Sequence, residues 1–136
     1  MHALAGLAIT VLVVDSDAAS RQACRAPFRA LRPGWRVLEA PTAATARGQL
    51  LENHCHLAVC DPAVGGSPEG GLWREVLQAF GVPVVLRLGP HAGEVEYALG
   101  LELGADDCWG PGVGPREMVA RVEAVLRRRY VPSPAR

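Results

Sequence analysis

Three aspartates stand where apolar runs stop. Asp15 closes the run ITVLVV (9–14), Asp17 follows two places on, and Asp61 closes HLAVCD (56–61). Carboxylates at strand ends can hold a divalent cation, attack an electrophile, or accept hydrogen bonds from the backbone N–H groups of the next turn. Brought together, Asp15 and Asp61 form an acidic pocket, and their like charges repel unless a cation or a donor intervenes. His54, Cys55 and His56 are metal-ligating types, but neighbours along a strand point to opposite faces, so the three cannot close on one ion. They read as a surface turn entering a strand. Cys24, Cys55, Cys60 and Cys108 show no CxxC spacing. That predicts reduced, structural thiols, with Cys60 a small buried residue. The stretch PAVGGSPEGG (62–71) is rich in glycine, but no helix-opening Lys-Ser/Thr follows it, so it is no phosphate cradle. It reads as a mobile loop over the carboxylates.

These acids need elements to position them. ITVLVV is continuous, apolar and β-branched, the pattern of a strand covered on both faces. Asp17 can N-cap a helix over 18–32 that ends near Pro33-Gly34, and Pro27 inside it is expected to kink or shorten it. WRVLEA (35–40) and HLAVCD (56–61) read as the second and third strands, with a Thr42-capped helix over 43–53 between them. LWREVLQAF (72–80) is a short amphipathic helix closed by Gly81, and VPVVLRLG (82–89) is a fourth strand. Residues 92–103 form a helix stopped by Gly104, and ADDCW (105–109) is a fifth strand. The last helix spans 115–129, with Pro115 in its first turn and Arg127, Arg128 and Arg129 in its last, where the helix dipole favours cations. Strands alternating with helices imply parallel βαβ units and a doubly wound sheet, whose ligands sit at the carboxyl ends of the strands. That rule gathers Asp15, Asp61 and the Leu88-Gly89 end at one edge.

The composition bounds the function classes. The 136 residues suit one compact domain, and 49% hydrophobic against 21% charged residues excludes a disordered chain. Lys+Arg and Asp+Glu balance at 14 each, so the domain lacks the basic surplus that gripping nucleic acid requires. No apolar run approaches the ~18 residues of a membrane span. MHALAGLAITVLVVD has no basic start, so a cytoplasmic protein without a signal peptide or a membrane anchor is expected.

VLVVDSD (11–17), LAVCDP (57–62), VPVVLRLG (82–89), GLELGADD (100–107) and PREMVARVEAVLRR (115–128) follow one another in a telling order and spacing. Over roughly residues 8–129 the chain resembles the receiver domain of two-component response regulators. GLELGADD with the EMVAR after it is similar to the subfamily whose output is a winged-helix DNA-binding domain. The resemblance implies an α/β, flavodoxin-like, doubly wound (βα)5 three-layer sandwich with parallel strand order 2-1-3-4-5. It assigns 1–129 to the receiver-like domain and 130–136 to a flexible tail or the start of a linker.

In a working receiver two adjacent acids hold Mg²⁺, an Asp accepts the phosphoryl group, and a Ser/Thr and a Lys bind its oxygens. The resemblance matches Asp61 to the phosphoacceptor and Asp15 to the first acid. The second acid position holds Ser16, and Asp17 beside it is a poor substitute. The Ser/Thr position holds Leu88. The Lys position falls on Pro111, or on Gly110 if one residue is missing. The aromatic of the fifth strand falls on Cys108, with Trp109 next to it. Losing one preorganised donor costs on the order of 10²–10³ in rate. Asp15, Ser16, Asp61, Leu88 and Pro111 thus imply a degenerate pocket, the mark of a pseudo-receiver. Any Mg²⁺ held by Asp15 and Asp61 is expected to be weak, and none is required. Arg87 carries a charge nearby, but strand alternation points it to the face opposite Leu88, away from the place of the lost Lys.

The resemblance therefore implies a regulatory module rather than an enzyme, largely independent of phosphorylation. It would dimerise through helix 4, strand 5 and helix 5, and control transcription through a DNA-binding output domain or a partner. On that face Asp106, Asp107, Glu117 and Arg121 match the family's cross-axis charges. Tyr97 falls where a basic residue pairs with the equivalent of Glu117, so one pair is lost, while Asp107 with Arg121 survives. Two alternatives stay open: phosphorylation of Asp61 by a histidine kinase, and a small-ligand sensor that uses the acidic pocket.

Overall fold

The computed structural model describes Leu4 and residues 7–66 and 71–132. Five strands, β1 (Thr10–Val14), β2 (Arg36–Ala40), β3 (Leu57–Cys60), β4 (Val84–Arg87) and β5 (Asp107–Trp109), pair in parallel in the order β2-β1-β3-β4-β5. Between and after them run α1 (Ala18–Leu31), α2 (Ala43–Glu52), α3 (Leu72–Gln78), α4 (Glu94–Glu102) and α5 (Pro115–Tyr130). This is the flavodoxin-like sandwich and strand order expected from the sequence.

Alternation along the strands builds two cores. Val11 and Val13 of β1, Leu57 and Val59 of β3, Val85 of β4 and Trp109 of β5 pack with Phe28 of α1 and with Val119, Val122 and Leu126 of α5. Their neighbours Leu12, Val14, Ala58, Cys60, Val84, Leu86 and Cys108 pack on the other side, with Leu50 of α2 and with Trp73 and Val76 of α3. Tyr97 of α4 and Leu103, the C-cap of that helix, cover that second core in part. Each fully buried large side chain contributes about 1.5–3 kcal/mol relative to exposure, which is why a strand apolar on both faces settles at the centre of the sheet.

Asp17 and Thr42 do act as N-caps: Asp17 Oδ2 accepts from the Ser20 N–H at 2.8 Å and Thr42 Oγ1 from that of Thr45 at 3.1 Å. Two expectations need correction. Pro27 does not shorten α1, which continues through it to Leu31. Pro27 shares the buried side of that helix with Cys24 and Phe28, and this packing offsets the lost backbone bond. Tyr130 is no tail residue. It belongs to α5, and its hydroxyl donates to the His56 carbonyl at 2.8 Å. Within the glycine-rich stretch, residues 67–70 lie outside the described residues, as do 133–136 of the proposed tail. Arg32, at the end of α1, donates through Nε and Nη2 to both oxygens of Glu123 on α5, each at 2.9 Å.

Candidate functional site

The strand register decides which side chains meet. Val14 lies beside Cys60, and Cys60 beside Leu86. The residues that follow, Asp15, Asp61 and Arg87, therefore stand in one row across the carboxyl edge. They continue the alternation that turns Val13, Val59 and Val85 towards α1 and α5. A cleft of about 250 Å³ opens there, lined by Asp15, Asp17, Ser20, Asp61, Arg87, Leu88, Gly89, Pro90 and Pro111.

Asp15 is buried, 5% exposed, and each of its carboxylate oxygens accepts a hydrogen bond. Oδ1 accepts from the Asp17 N–H at 2.9 Å, and Oδ2 from the Ser20 hydroxyl at 2.6 Å. Arg87 Nη1 donates to the hydroxyl oxygen and to the backbone carbonyl of Ser20, both at 2.7 Å, and stands 3.9 Å from Asp15 Oδ2. Asp61 Oδ1 accepts from the Ala63 N–H at 2.9 Å, while the Asp61 N–H donates to the Val14 carbonyl at 2.8 Å. The strand-end acids thus cap the turns that follow them.

Of the degenerate set, Asp15, Asp61, Leu88 and Pro111 meet in the cleft. Ser16 is exposed and lies outside the lining; Asp17 takes part instead, though its Oδ2 serves the N-cap of α1. Leu88 is 8% exposed and belongs to the core on the side of α3. Arg87 overturns the expectation that it stays away from the site. Alternation does separate it from Leu88, but Asp15 and Ser20 share its face, so it enters the cleft from the side of α1. Gly110 could not be exchanged for a larger residue without displacing Tyr97, whose hydroxyl stands where a Cβ would go. Ser20 is the residue the sequence reading missed. Its only signal was its place in the first turn after the Asp17 cap.

A divalent cation, which the resemblance implies, fits this donor set poorly. Mg²⁺ demands near-octahedral oxygen ligands, yet both oxygens of Asp15 already accept hydrogen bonds and a guanidinium stands beside them. Among the described residues no three His, Cys, Asp or Glu are grouped to hold a metal, the His54–His56 run included. His56 instead accepts from the Thr10 N–H through Nδ1 at 3.0 Å. Burial pushes the Cys60 thiol far up, with Cys24 and Asp61 adding to the rise, so it is no nucleophile.

A second cavity of about 450 Å³ adjoins the cleft, sharing Leu88, Gly89 and Pro90 as a wall. Pro62, Leu86, Ala92 and Leu99 make it apolar, with His91 and Glu96 among its lining residues.

On the face of α4, β5 and α5 the charges are engaged within the chain. Arg121 bridges Glu117 at 2.8 Å and Asp107 at 3.1 Å. Asp107 also accepts from the Trp109 indole N–H at 3.1 Å, and Asp106 from the Val84 N–H at 2.9 Å. Tyr97 is half-buried, packed against the core beneath α4. Val95 and Leu101 of α4 stand 75% and 50% exposed.

No family model matches the chain. It is similar to the transcriptional regulatory protein GltR of Pseudomonas aeruginosa, 31% identical over 121 residues, or 88% of this chain and 49% of that protein. The chain thus spans about half the length of that relative. Its fold matches a response regulator from Desulfuromonas acetoxidans with a TM-score of 0.77 at 21% identity, covering 90% of this chain and 99% of the other. It also matches a CheY-like receiver domain from Methanospirillum hungatei with a TM-score of 0.71 at 20% identity, covering 90% and 96%. No helix among the described residues is long and apolar enough to cross a membrane.

Proposed function

We propose that this chain is a response-regulator receiver and, within that family, a regulatory module that works by protein contact, largely independently of phosphorylation. The observation that carries this is the lining of the cleft. Beside Asp61 stand Leu88 and Pro111, where phosphoryl chemistry needs a hydroxyl and an ammonium aimed at the transferring oxygens. Arg87, the cation of the cleft, is committed to Ser20 and Asp15. On this reading the domain acts in the cytoplasm, touches no DNA itself, catalyses nothing, and controls transcription through an output domain or a partner. A histidine kinase is then a docking partner at most.

The contact surface is the face of α4, β5 and α5, used to form a homodimer. The exposed Val95 and Leu101 supply apolar area there, and Asp107, Glu117 and Arg121 supply charges that fix register more than affinity. Incubation with a small phosphodonor and Mg²⁺, followed by intact mass, tests the reading. No adduct is expected, and a phosphoryl adduct that disappears in Asp61→Ala would refute it. Sedimentation at several concentrations tests the dimer, with Val95→Glu shifting it to monomer.

The cavity beside the cleft favours a second reading, a small-ligand sensor. Its volume lies in the range of ligand pockets, and its apolar wall is continuous with the acidic chamber. A thermal-shift screen of small apolar compounds tests this, since a ligand that binds only the folded state raises the midpoint.

A further inference from the structure

We propose that Arg87 is a tethered counter-ion, a side chain that takes the electrostatic place of a divalent cation in the Asp15–Asp61 cleft. The inference rests on the reading of a phosphorylation-independent receiver and deepens it by naming what fills the site.

Three observations converge. Register puts Arg87 in the same row as Asp15 and Asp61, so the charge is delivered by the sheet itself rather than by a loop. The hydrogen bonds run in a relay: Arg87 Nη1 donates to the Ser20 oxygen, and the Ser20 hydroxyl donates onward to Asp15 Oδ2. Ser20 is therefore donor and acceptor at once, and its proton is committed to the carboxylate. The charges of the cleft lining are Asp15, Asp17, Asp61 and Arg87, so the guanidinium is the only cation among its lining residues.

A free cation would enter against this arrangement. It would have to break the bond from Ser20 to strip Asp15, and it would then meet a positive charge about 4 Å away in a partly desolvated site. Arg87 has already made that interaction without the cost of bringing an ion from solution. The tether also joins the end of β4 to the first turn of α1. The edge of the sheet is thus held in one state, where a metal-dependent site would respond to its ion.

Removing the charge reopens the cleft. In Arg87→Met the carboxylates of Asp15 and Asp61 remain with no cation among the lining residues, while Asp17 stays on the N-cap of α1, and Mn²⁺ or Mg²⁺ can then supply the counter-charge. The test is calorimetric titration of the full chain with MnCl2 and MgCl2 at constant ionic strength. It compares wild type, Arg87→Met, and Arg87→Gln, which keeps a donor for Ser20 but no charge. Thermal unfolding shows which variants are folded. Wild type is expected to give no saturable heat. Either folded variant is expected to bind Mn²⁺ at least about tenfold more tightly, and a second change, Asp61→Asn, is expected to remove the gain. Saturable binding by wild type equal to the variants overturns the proposal, as does a folded variant that binds no better than wild type. Metal binding by wild type without a phosphoryl adduct would sink only this inference, whereas an adduct on wild type sinks the functional reading instead.

Discussion

Arg87 and Ser20 lie 67 residues apart in the chain, yet one guanidinium nitrogen of Arg87 donates to both the carbonyl and the hydroxyl of Ser20 at 2.7 Å. The contact joins the end of β4 to the start of α1 across the intervening β1 and β3, and the same Ser20 hydroxyl donates a hydrogen bond to the buried Asp15.

That hydroxyl has a measurable weight. Ser20→Ala leaves Asp15 Oδ2 without its short donor and Arg87 with one acceptor fewer. We predict a loss of about 1–2 kcal/mol, read as a lower urea midpoint with an unchanged slope. A change within experimental error would show that water replaces the hydroxyl at no cost.

The pair between Arg32 and Glu123 should weigh more. Glu123 has a side chain only 7% exposed, and Arg32 meets both of its oxygens. Arg32→Met strips a buried carboxylate of that partner, and because Arg32 itself is 36% exposed the expected loss is about 2 kcal/mol rather than the full cost of a buried pair. Adding Glu123→Gln should restore part of it in chemical denaturation. A double variant no better than the single one would place the effect in lost packing instead.

The layers, the order of elements and both side-chain caps were legible in the sequence, because a strand buried on both faces and a capped amphipathic helix each leave a local pattern. Leu12 and Val13 show it: consecutive apolar residues that serve opposite cores. The position of Arg87 was not legible. Its face follows from alternation, but its row depends on which residue of β4 pairs with Cys60, and register is a property of two strands together. The same limit hid Tyr130, whose helical state depends on a partner, His56, at the far end of the sheet. Pro27 misled because its local penalty was visible and the core that offsets it was not.

His56 makes stability depend on pH in a definite direction. Its burial, with His54 adjacent, holds its pKa below the ordinary histidine value, and protonating Nδ1 would cost the hydrogen bond it accepts from the Thr10 N–H. The folded state therefore resists protonation more than the unfolded chain does. Stability is at its full value above the unfolded pKa of about 6.5 and is lost as pH falls through the lower, folded value. Urea midpoints between pH 7.5 and pH 5 should decline in wild type. The decline should be smaller in His56→Gln. Equal slopes in the two proteins would assign the effect to other groups.

The four thiols should be inert in the native protein. Burial pushes Cys24 up to about 12 and Cys108 up to about 11, and raises Cys55 and Cys60 as well. Thiolate is the reactive form, so a disulfide reagent at pH 8 is expected to label none of them before unfolding and all four in denaturant. Rapid labelling of Cys60 in the folded protein would point to a reactive thiol there instead.

Restoring the missing groups is the strongest test of the proposal that the cleft takes no phosphoryl group. Leu88 and Pro111 both line it beside Asp61, so a hydroxyl and an ammonium placed there would face the same space. The backbone of Leu88 is held to Trp109 by a 2.7 Å hydrogen bond, which fixes where a new side chain starts. Leu88→Thr removes apolar volume from the core and should cost about 2 kcal/mol, while Pro111→Lys, at an exposed position, should cost little. Ser16→Asp adds the second acid, and Arg87→Met clears the competing charge. The fourfold variant, given a small phosphodonor and Mg²⁺, is expected to gain a phosphoryl adduct on Asp61 at least about 100-fold faster than wild type, since each restored donor contributes on that scale. Each single substitution alone should leave the cleft silent, because charge neutralisation requires the groups together. A folded fourfold variant that still takes no phosphate would mean that the shape of the cleft, and not its missing charge, keeps Asp61 from reacting.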